Sequence, residues 1–155
     1  MDKKVSESRT EQVQLITQSD LNGYKRLYGG RLMEWIDTVA GVTARRHSEK
    51  NITTAMVDTL QFKKAAYAND LIVLIGQVTY VGKTSMEVCV RSYVEAPNGM
   101  RSLINTAYLV MVALDENEKP AQVPGLILET EQQKIEWEFA KLRNEARKNR
   151  RKGNF

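Results

Sequence analysis

Apolar residues recur every three or four positions between about residues 30 and 46. Leu32, Trp35 or Ile36, Val39, and Val42 or Thr43 fall on one side of a helix. Arg45, Arg46 and His47 close this segment with the positive charge that suits a helix C-terminus. Beyond it the period shortens to two. NITTAMVDTLQF (51–62) is rich in β-branched residues, and LIVLIGQVTYV (71–81) is an almost unbroken apolar run, as in a strand buried on both faces. TSMEVCVRSYVEA (84–96) alternates clearly, and RSLINTAYLVMVAL (101–114) reads as a further long strand. GK (82–83), PNG (97–99) and DENEKP (115–120) supply the turns between and after them. Before the helix, EQVQLITQ (11–18) alternates weakly as a short strand, and SDLNGYKRLYGG reads as a loop. Residues 1–10 read as a polar, fraying end. A final helix starts near Thr130, with Ile135, Phe139 and Leu142 on one face and Trp137 off that line.

The order is therefore a strand, one long helix, four strands in hairpin-like succession and a terminal helix. A single apolar helix followed by an antiparallel meander predicts an α+β class in which the sheet wraps the helix. Residues 1–129 form the body and 130–155 a basic C-terminal helix or tail. Long strands with unpaired edges predict pairing of two copies edge to edge.

Composition narrows the picture. The chain has 155 residues, enough for one domain with a sizeable core, and its 42% hydrophobic and 27% charged content is that of an ordinary globular protein. No apolar run approaches the length of a membrane span, and the polar start MDKKVSESRTEQ lacks the apolar stretch of a secretory signal. Cys89 is the one cysteine, so no internal disulfide forms, and a reducing, cytoplasmic setting is expected. The net charge of +4 is concentrated in KLRNEARKNRRK (141–152), which leaves the body about neutral. That basic run is interleaved with no aromatic residue except the terminal Phe155, so it does not support a base-stacking nucleic-acid site.

The stretch RLYGGRLMEWIDTVAG (26–41) holds the candidate chemistry. Gly29 and Gly30 open the helix, where unpaired backbone amides point outward and favour an anion or a polarised carbonyl oxygen. Asp37 lies two turns along, with Met33, Glu34, Ala40 and Gly41 as helical neighbours, a mixed face that something else can approach closely. Read plainly, the same features are a tight turn and a solvated acid. Glu34 reads as a solvated or interface charge. His47, alone among the residues of its type and next to two arginines, reads as a cap for helix carbonyls. One histidine and one cysteine give no metal-ligand cluster, no Gly-x-Ser-x-Gly elbow occurs, and Cys89 reads as a structural strand residue.

Taken together, Asp20-x-Asn22, Leu27-Tyr28-Gly29-Gly30, Met33-x-Trp35-Ile36-Asp37-x-x-Ala40, Arg46-His47, Phe62, Asp70, Gly82-Lys83-Thr84-Ser85-Met86-x-Val88, Ala113-Leu114-Asp115-Glu116, Lys119-Pro120 and Val123-Pro124 resemble the hot-dog-fold acyl-CoA thioesterases of the cytosolic acyl-CoA hydrolase branch. The resemblance runs from about Thr17 to Pro124. It implies a curved antiparallel sheet around a central helix, dimers with a continuous sheet, often trimers of such dimers, and active sites at the dimer interface. It implies that Asp37 is the catalytic acid and that Asn22 assists from the opposing subunit, with Gly29 and Gly30 shaping the oxyanion site. It also implies that Gly82, Lys83, Thr84 and Ser85 border the coenzyme A groove, with Arg91 and Arg46 as further candidates for its phosphates. The chain departs from the family in having Lys25 where a glycine is usual, and Ala65 and Asn69-Asp70 where proline and Gly-Asp are usual.

The reading that follows is a hydrolase that splits acyl-CoA into a free acid and coenzyme A, with Asp37 as general base or nucleophile and no metal or cofactor beyond the coenzyme A of its substrate. The alternative is a non-catalytic acyl-CoA-binding or sensor protein on the same fold. A dehydratase ranks third, because that branch relies on a histidine paired with an acid and His47 lies at the wrong end of the helix.

Overall fold

The computed structural model describes residues 1–153. Helix α2 (Gly29–Ser48) starts one residue before the predicted span and ends two after it. Leu32, Ile36, Val39, Ala40, Thr43, Ala44 and His47 are buried along one stripe. Ile36 and Thr43, rather than Trp35 and Val42, are therefore the buried residues of those two pairs. Glu49 ends the helix in the left-handed region, its amide donating to the Arg45 carbonyl.

The strands are β1 (Lys3–Lys4), β2 (Thr10–Leu15), β3 (Asn51–Phe62), β4 (Leu71–Val81), β5 (Ser85–Glu95), β6 (Arg101–Leu114) and β7 (Leu126–Ile127). A short helix, α1 (Val5–Ser8), precedes β2, and α3 (Glu131–Lys152) follows β7. The main sheet has the order β2-β4-β5-β6-β3, every neighbour antiparallel. Helix α2 packs against all five strands. It comes closest at β4: a Cβ on Gly76 would lie 2.6 Å from Thr43 Oγ1 and 2.8 Å from Val39 Cγ1.

The expected four-strand meander is corrected at β3, which pairs with β6 instead of its sequence neighbour β4. The β4 run is apolar on both faces, so it takes an interior place between β2 and β5, with α2 on one side and α3 on the other. Strand β3 exposes Thr53, Thr54 and Ala55 and sits at the edge, and residues 63–70 carry the chain across.

Residues 1–10 do not fray. Strand β1 pairs in parallel with β7, Val5 is buried, and Ser6 donates through both its amide and hydroxyl to Glu129. These partners lie more than a hundred residues away, so no local pattern announces them. The strand expected at 11–18 stops at Leu15, and Gln18–Asp20 form a 3-10 turn.

Helix α3 crosses the outer face of the sheet with its polar side inward. Arg143 makes a two-pronged pair with the fully buried Glu87 (2.7 and 3.0 Å) and lies 3.8 Å over the Tyr108 ring. Arg147 joins both Glu87 and Asp58, and Arg150 also reaches Asp58. Trp137, off the apolar line, packs on Tyr80 at 4.5 Å between ring centroids. Much of the basic run is thus spent on the sheet's own carboxylates, and Phe155 lies outside the described residues. The apolar line itself faces solvent, with Ile135, Phe139 and Leu142 exposed by 49%, 58% and 61%.

Candidate functional site

Asp37 lies on the flank of α2 that meets the start of β3. Thr54, on β3, donates its hydroxyl to Asp37 Oδ1 at 2.7 Å. This fixes the plane of the carboxylate and leaves its second oxygen free. The two residues line a cavity of about 430 Å³ together with Thr38, Gly41, Val42, Arg45, Asn51 and Ile52. Gly41 lets the helix approach Ile52, whose Cδ1 would stand 3.4 Å from a Cβ placed there.

The trough widens from that point. Val42, Arg45 and Asn51 are shared with a larger cavity of about 950 Å³, which adds Arg46, Glu49, Lys50 and residues 114–117. Arg45 sits two helical turns from Asp37, about 12 Å along the axis. A carboxylate at the narrow end and Arg45, Arg46 and Lys50 at the wide end give the trough two chemically distinct parts.

Asn22 belongs to the loop between β2 and α2. It lines a separate cavity of about 290 Å³ with Arg26, Leu27, Leu32, Phe62, residues 63–66 and Ile104, and this cavity shares no lining residue with the one holding Asp37. Within one chain, the structure does not bring Asn22 and Asp37 into a common pocket. Asn22 Oδ1 accepts from the amides of Tyr24 (2.9 Å) and Arg26 (3.2 Å). That pair of donors identifies the oxygen and leaves Nδ2 free to donate. Asp20 braces the same loop: it accepts from the Thr17 amide and hydroxyl and pairs with Arg31 at 3.2 Å.

Two of the sequence departures find their meaning here. Lys25 (φ 60°) and Asn69 (φ 70°) both occupy the left-handed region. Both therefore carry the left-handed backbone penalty that a glycine would avoid.

At the start of α2, Tyr28 gives the helix no side-chain cap, so the first-turn amides are not satisfied from that side. A Cβ on Gly30 would stand 2.5 Å from the Tyr28 ring, and one on Gly29 would stand 3.5 Å from the Phe62 ring. The glycines therefore admit two aromatic rings, both more than half exposed, as well as opening the helix start to a ligand.

The remaining candidates scatter. Gly82, Lys83, Thr84 and Ser85 form the β4–β5 turn, closed by Gly82 N–H donating to the Ser85 carbonyl at 2.9 Å. The Thr84 carbonyl accepts from Ala113, beside Leu114, so the turn stands at the wide end of the trough without lining it. Arg46 lines the wide cavity, and its guanidinium also donates to the Arg9 carbonyl and the Thr10 hydroxyl. Arg91 is corrected as a groove cation: it points to the opposite face of the sheet and pairs with Glu136 of α3 at 3.2 Å. Glu34 is an exposed partner of Arg31. His47 does not cap α2. It is fully buried and bonded through Nε2 to the Pro124 carbonyl at 2.9 Å, and burial pushes its pKa down. The Cys89 thiol, buried beneath α3, is pushed up to about 12 by desolvation. Among the described residues, no group of three His, Cys, Asp or Glu side chains is arranged to hold a metal ion.

Sequence reasoning missed Thr54 and Arg45. Thr54 sits in a strand full of threonines, where only the three-dimensional pairing with α2 singles it out. Arg45 is visible as part of a basic helix end, and its position eight residues after Asp37 is the signal that was available.

Residues 24–99 match the thioesterase superfamily model. An uncharacterized acyl-CoA thioester hydrolase of Bacillus subtilis is 37% identical over 147 residues, spanning 94% of this chain and 86% of that protein. The cytosolic acyl coenzyme A thioester hydrolase of Rattus norvegicus is 33% identical over 96% of this chain, but the chain spans only 40% of its length. Among solved structures, an acyl-CoA hydrolase of Staphylococcus aureus in complex with butyryl coenzyme A and coenzyme A superposes with a TM-score of 0.95 at 34% identity, covering 99% and 94% of the two chains. Variants of that enzyme replace one asparagine, one aspartate and one threonine by alanine, and superpose at TM-scores of 0.94 to 0.95. Those three residues are fifteen and then seventeen positions apart, as Asn22, Asp37 and Thr54 are here. A hexameric acyl-CoA thioesterase without ligand superposes with a TM-score of 0.92 at 39% identity, covering 96% of each chain.

Proposed function

Since the chain belongs to the acyl-CoA thioester hydrolases of the thioesterase superfamily, we propose that it hydrolyses acyl-CoA to a free acid and coenzyme A at a site shared between two subunits. The observation that carries this reading is the Thr54–Asp37 hydrogen bond at the narrow end of a trough whose wide end is cationic. Gly29 lies about 12 Å along α2 from Asp37 of the same chain. The thioester carbonyl at Asp37 therefore meets the first-turn amides of the partner subunit's α2, at the partner's Gly29 and the partner's Gly30, and the developing oxyanion is held by donors already in place. The Asp37 oxygen left free by Thr54 either takes a proton from the attacking water or attacks the carbonyl carbon itself. With water as the nucleophile, the carbon–sulfur bond breaks to give the acid directly; with Asp37 as the nucleophile, it breaks to leave a mixed anhydride that one water then cleaves, restoring the carboxylate. In both cases coenzyme A leaves as a thiolate that is protonated, and one water is consumed. No metal or cofactor enters these steps.

Asn22 contributes from the partner subunit. Its oxygen is occupied by its own loop, so it acts as a donor to the carbonyl oxygen through Nδ2. The phosphates of coenzyme A fall to Arg45, Arg46 and Lys50, with Lys83 and the Thr84–Ser85 turn beside them. Two copies join through the free edge of β3, next to Asp37, and three such pairs make the hexamer suggested by a hexameric relative. No described helix is long and apolar enough to cross a membrane. The cytosolic naming of the mammalian relatives and the single buried cysteine support a cytoplasmic setting.

The test is thiol release from a series of acyl-CoAs by the protein and by Asp37→Asn in parallel. The expected result is release by the parent and a loss of ~10²-fold or more in the variant, with little change in KM. Coenzyme A binding without release from any chain length would instead support the acyl-CoA-binding alternative.

A further inference from the structure

The chain holds two Asn-Gly pairs, Asn22-Gly23 and Asn98-Gly99, and both asparagines are exposed. In such a pair the glycine nitrogen reaches the amide carbon of the asparagine side chain with no Cβ in the way. Their turns set the two pairs apart. Gly99 closes its turn, its amide donating to the Ala96 carbonyl at 2.8 Å. Gly23 takes the second position of a turn that Lys25 closes, the Lys25 amide donating to the Asn22 carbonyl at 3.0 Å. The Gly23 amide has no backbone partner among the described residues. The electrophiles differ as well. Asn22 Oδ1 accepts from two backbone amides, of Tyr24 at 2.9 Å and of Arg26 at 3.2 Å, whereas Asn98 Oδ1 accepts only from Met100, at 3.0 Å. Two donors draw charge from Asn22 Cγ and hold the oxyanion that forms on Oδ1 when a nitrogen adds there.

We propose that Asn22-Gly23 is a self-modification site, at which the protein slowly converts its own Asn22 to aspartate and isoaspartate and so ends its own activity. The Gly23 nitrogen gives its proton to hydroxide and bonds to Asn22 Cγ. The Cγ–Nδ2 bond breaks, and Nδ2 leaves as ammonia with a proton from water, which restores the hydroxide. A cyclic succinimide remains, and one water opens it. Cleavage at Cγ gives aspartate in an ordinary chain, and cleavage at the main-chain carbonyl gives isoaspartate, with an extra methylene in the backbone. The balance is one water consumed and one ammonia released, with no oxidant or cofactor. Either product replaces the Nδ2 donor by a negatively charged acceptor. The loss of activity rests on the role of Asn22 proposed above; the conversion itself does not. A site that hydrolyses a thioester must admit water, so subunit pairing leaves this loop wet.

The test holds the full chain at pH 8.5 and at pH 6 and follows two readouts in the same samples. Peptide mass spectrometry reads conversion as a gain of about one mass unit at Asn22 or Asn98, and thiol release from acyl-CoA reads activity. The expected result is conversion at Asn22 ahead of Asn98, faster at the higher pH, with thiol release falling in step. Gly23→Ala is the control. Gly23 has no positive φ, and a Cβ there would meet nothing within 4 Å, so the fold accepts it. The added methyl crowds the attack on Cγ, so conversion slows by ~10-fold or more and thiol release persists. Asn22→Asp, made directly, starts at the low activity of the fully converted parent. Asn22 unchanged at pH 8.5 overturns the proposal, and so does conversion at an unaltered rate in Gly23→Ala. Conversion that leaves thiol release intact overturns the loss of function. A parent that releases no thiol from the outset, yet converts at Asn22, refutes the hydrolase reading and leaves the modification site standing.

Discussion

At Asp37, a single hydroxyl decides how the carboxylate is presented. Thr54 donates to Oδ1, and loss of that donor frees the side chain to rotate. Thr54→Ala is expected to lower kcat by ~10-fold or more with the fold intact, while Thr54→Ser restores much of it. Steady-state thiol release on the three proteins measures this. Lys25 and Asn69 show the opposite case, in which an unusual residue holds a backbone shape that glycine would take without strain. Lys25→Gly is expected to stabilise the chain by about 0.5–1 kcal/mol despite the larger freedom glycine gives the unfolded state, because the left-handed penalty is removed. A urea titration that shows no gain would mean the entropy term cancels it. Asp37 and the glycines at the start of α2 stand out in the sequence because a helix start and an acid on a helix flank are local patterns. Thr54 does not, since its role depends on β3 reaching α2 from the far edge of the sheet.

At the level of elements, the spacing between α2 and the sheet is set at Gly76. Gly76→Ala would drive a methyl into Thr43 and Val39, and is expected to destabilise by about 1–3 kcal/mol, read as a lower urea midpoint. His47 ties the C-terminal half of α2 to the linker at Pro124, and the fold holds it neutral because burial lowers its pKa from 6.5. The unfolded chain binds that proton more readily, so the stability this adds is complete above about pH 6.5 and is lost as pH falls below it. Urea midpoints at pH 7.5 and 5.5 should therefore differ in favour of the higher pH, and His47→Gln should reduce the difference. An unchanged difference in the variant would assign it to other groups. Helix periodicity and strand alternation made α2 and β3 to β6 legible. The place of β3 was not, because edge or centre is settled by which strands lie beside it, and β2 takes the free side of β4 while β3 is left at the far edge beside β6. The apolar line of α3 faces solvent because the buried carboxylate of Glu87 claims the arginines on the opposite side of the helix. Removing it by Glu87→Ala leaves Arg143 and Arg147 without their shared partner, and is expected to cost about 3–5 kcal/mol.

At the scale of the whole molecule, one chain holds two incomplete halves. Asp37 and Thr54 line one cavity and Asn22 another, and the free edge of β3 lies beside the first. The proposed hydrolysis therefore requires that each active site draw Asp37 from one subunit and Asn22 from its partner. Complementation tests this most directly. Asn22→Ala and Asp37→Asn are each made and shown to be nearly inactive, then co-expressed in equal amounts and assayed for thiol release. In a mixed dimer one site regains both native residues and the other loses both. Random pairing then predicts recovery of about a quarter of the parent's activity. No recovery in mixed dimers confirmed by mass would place Asn22 and Asp37 in the same chain's site and contradict the account.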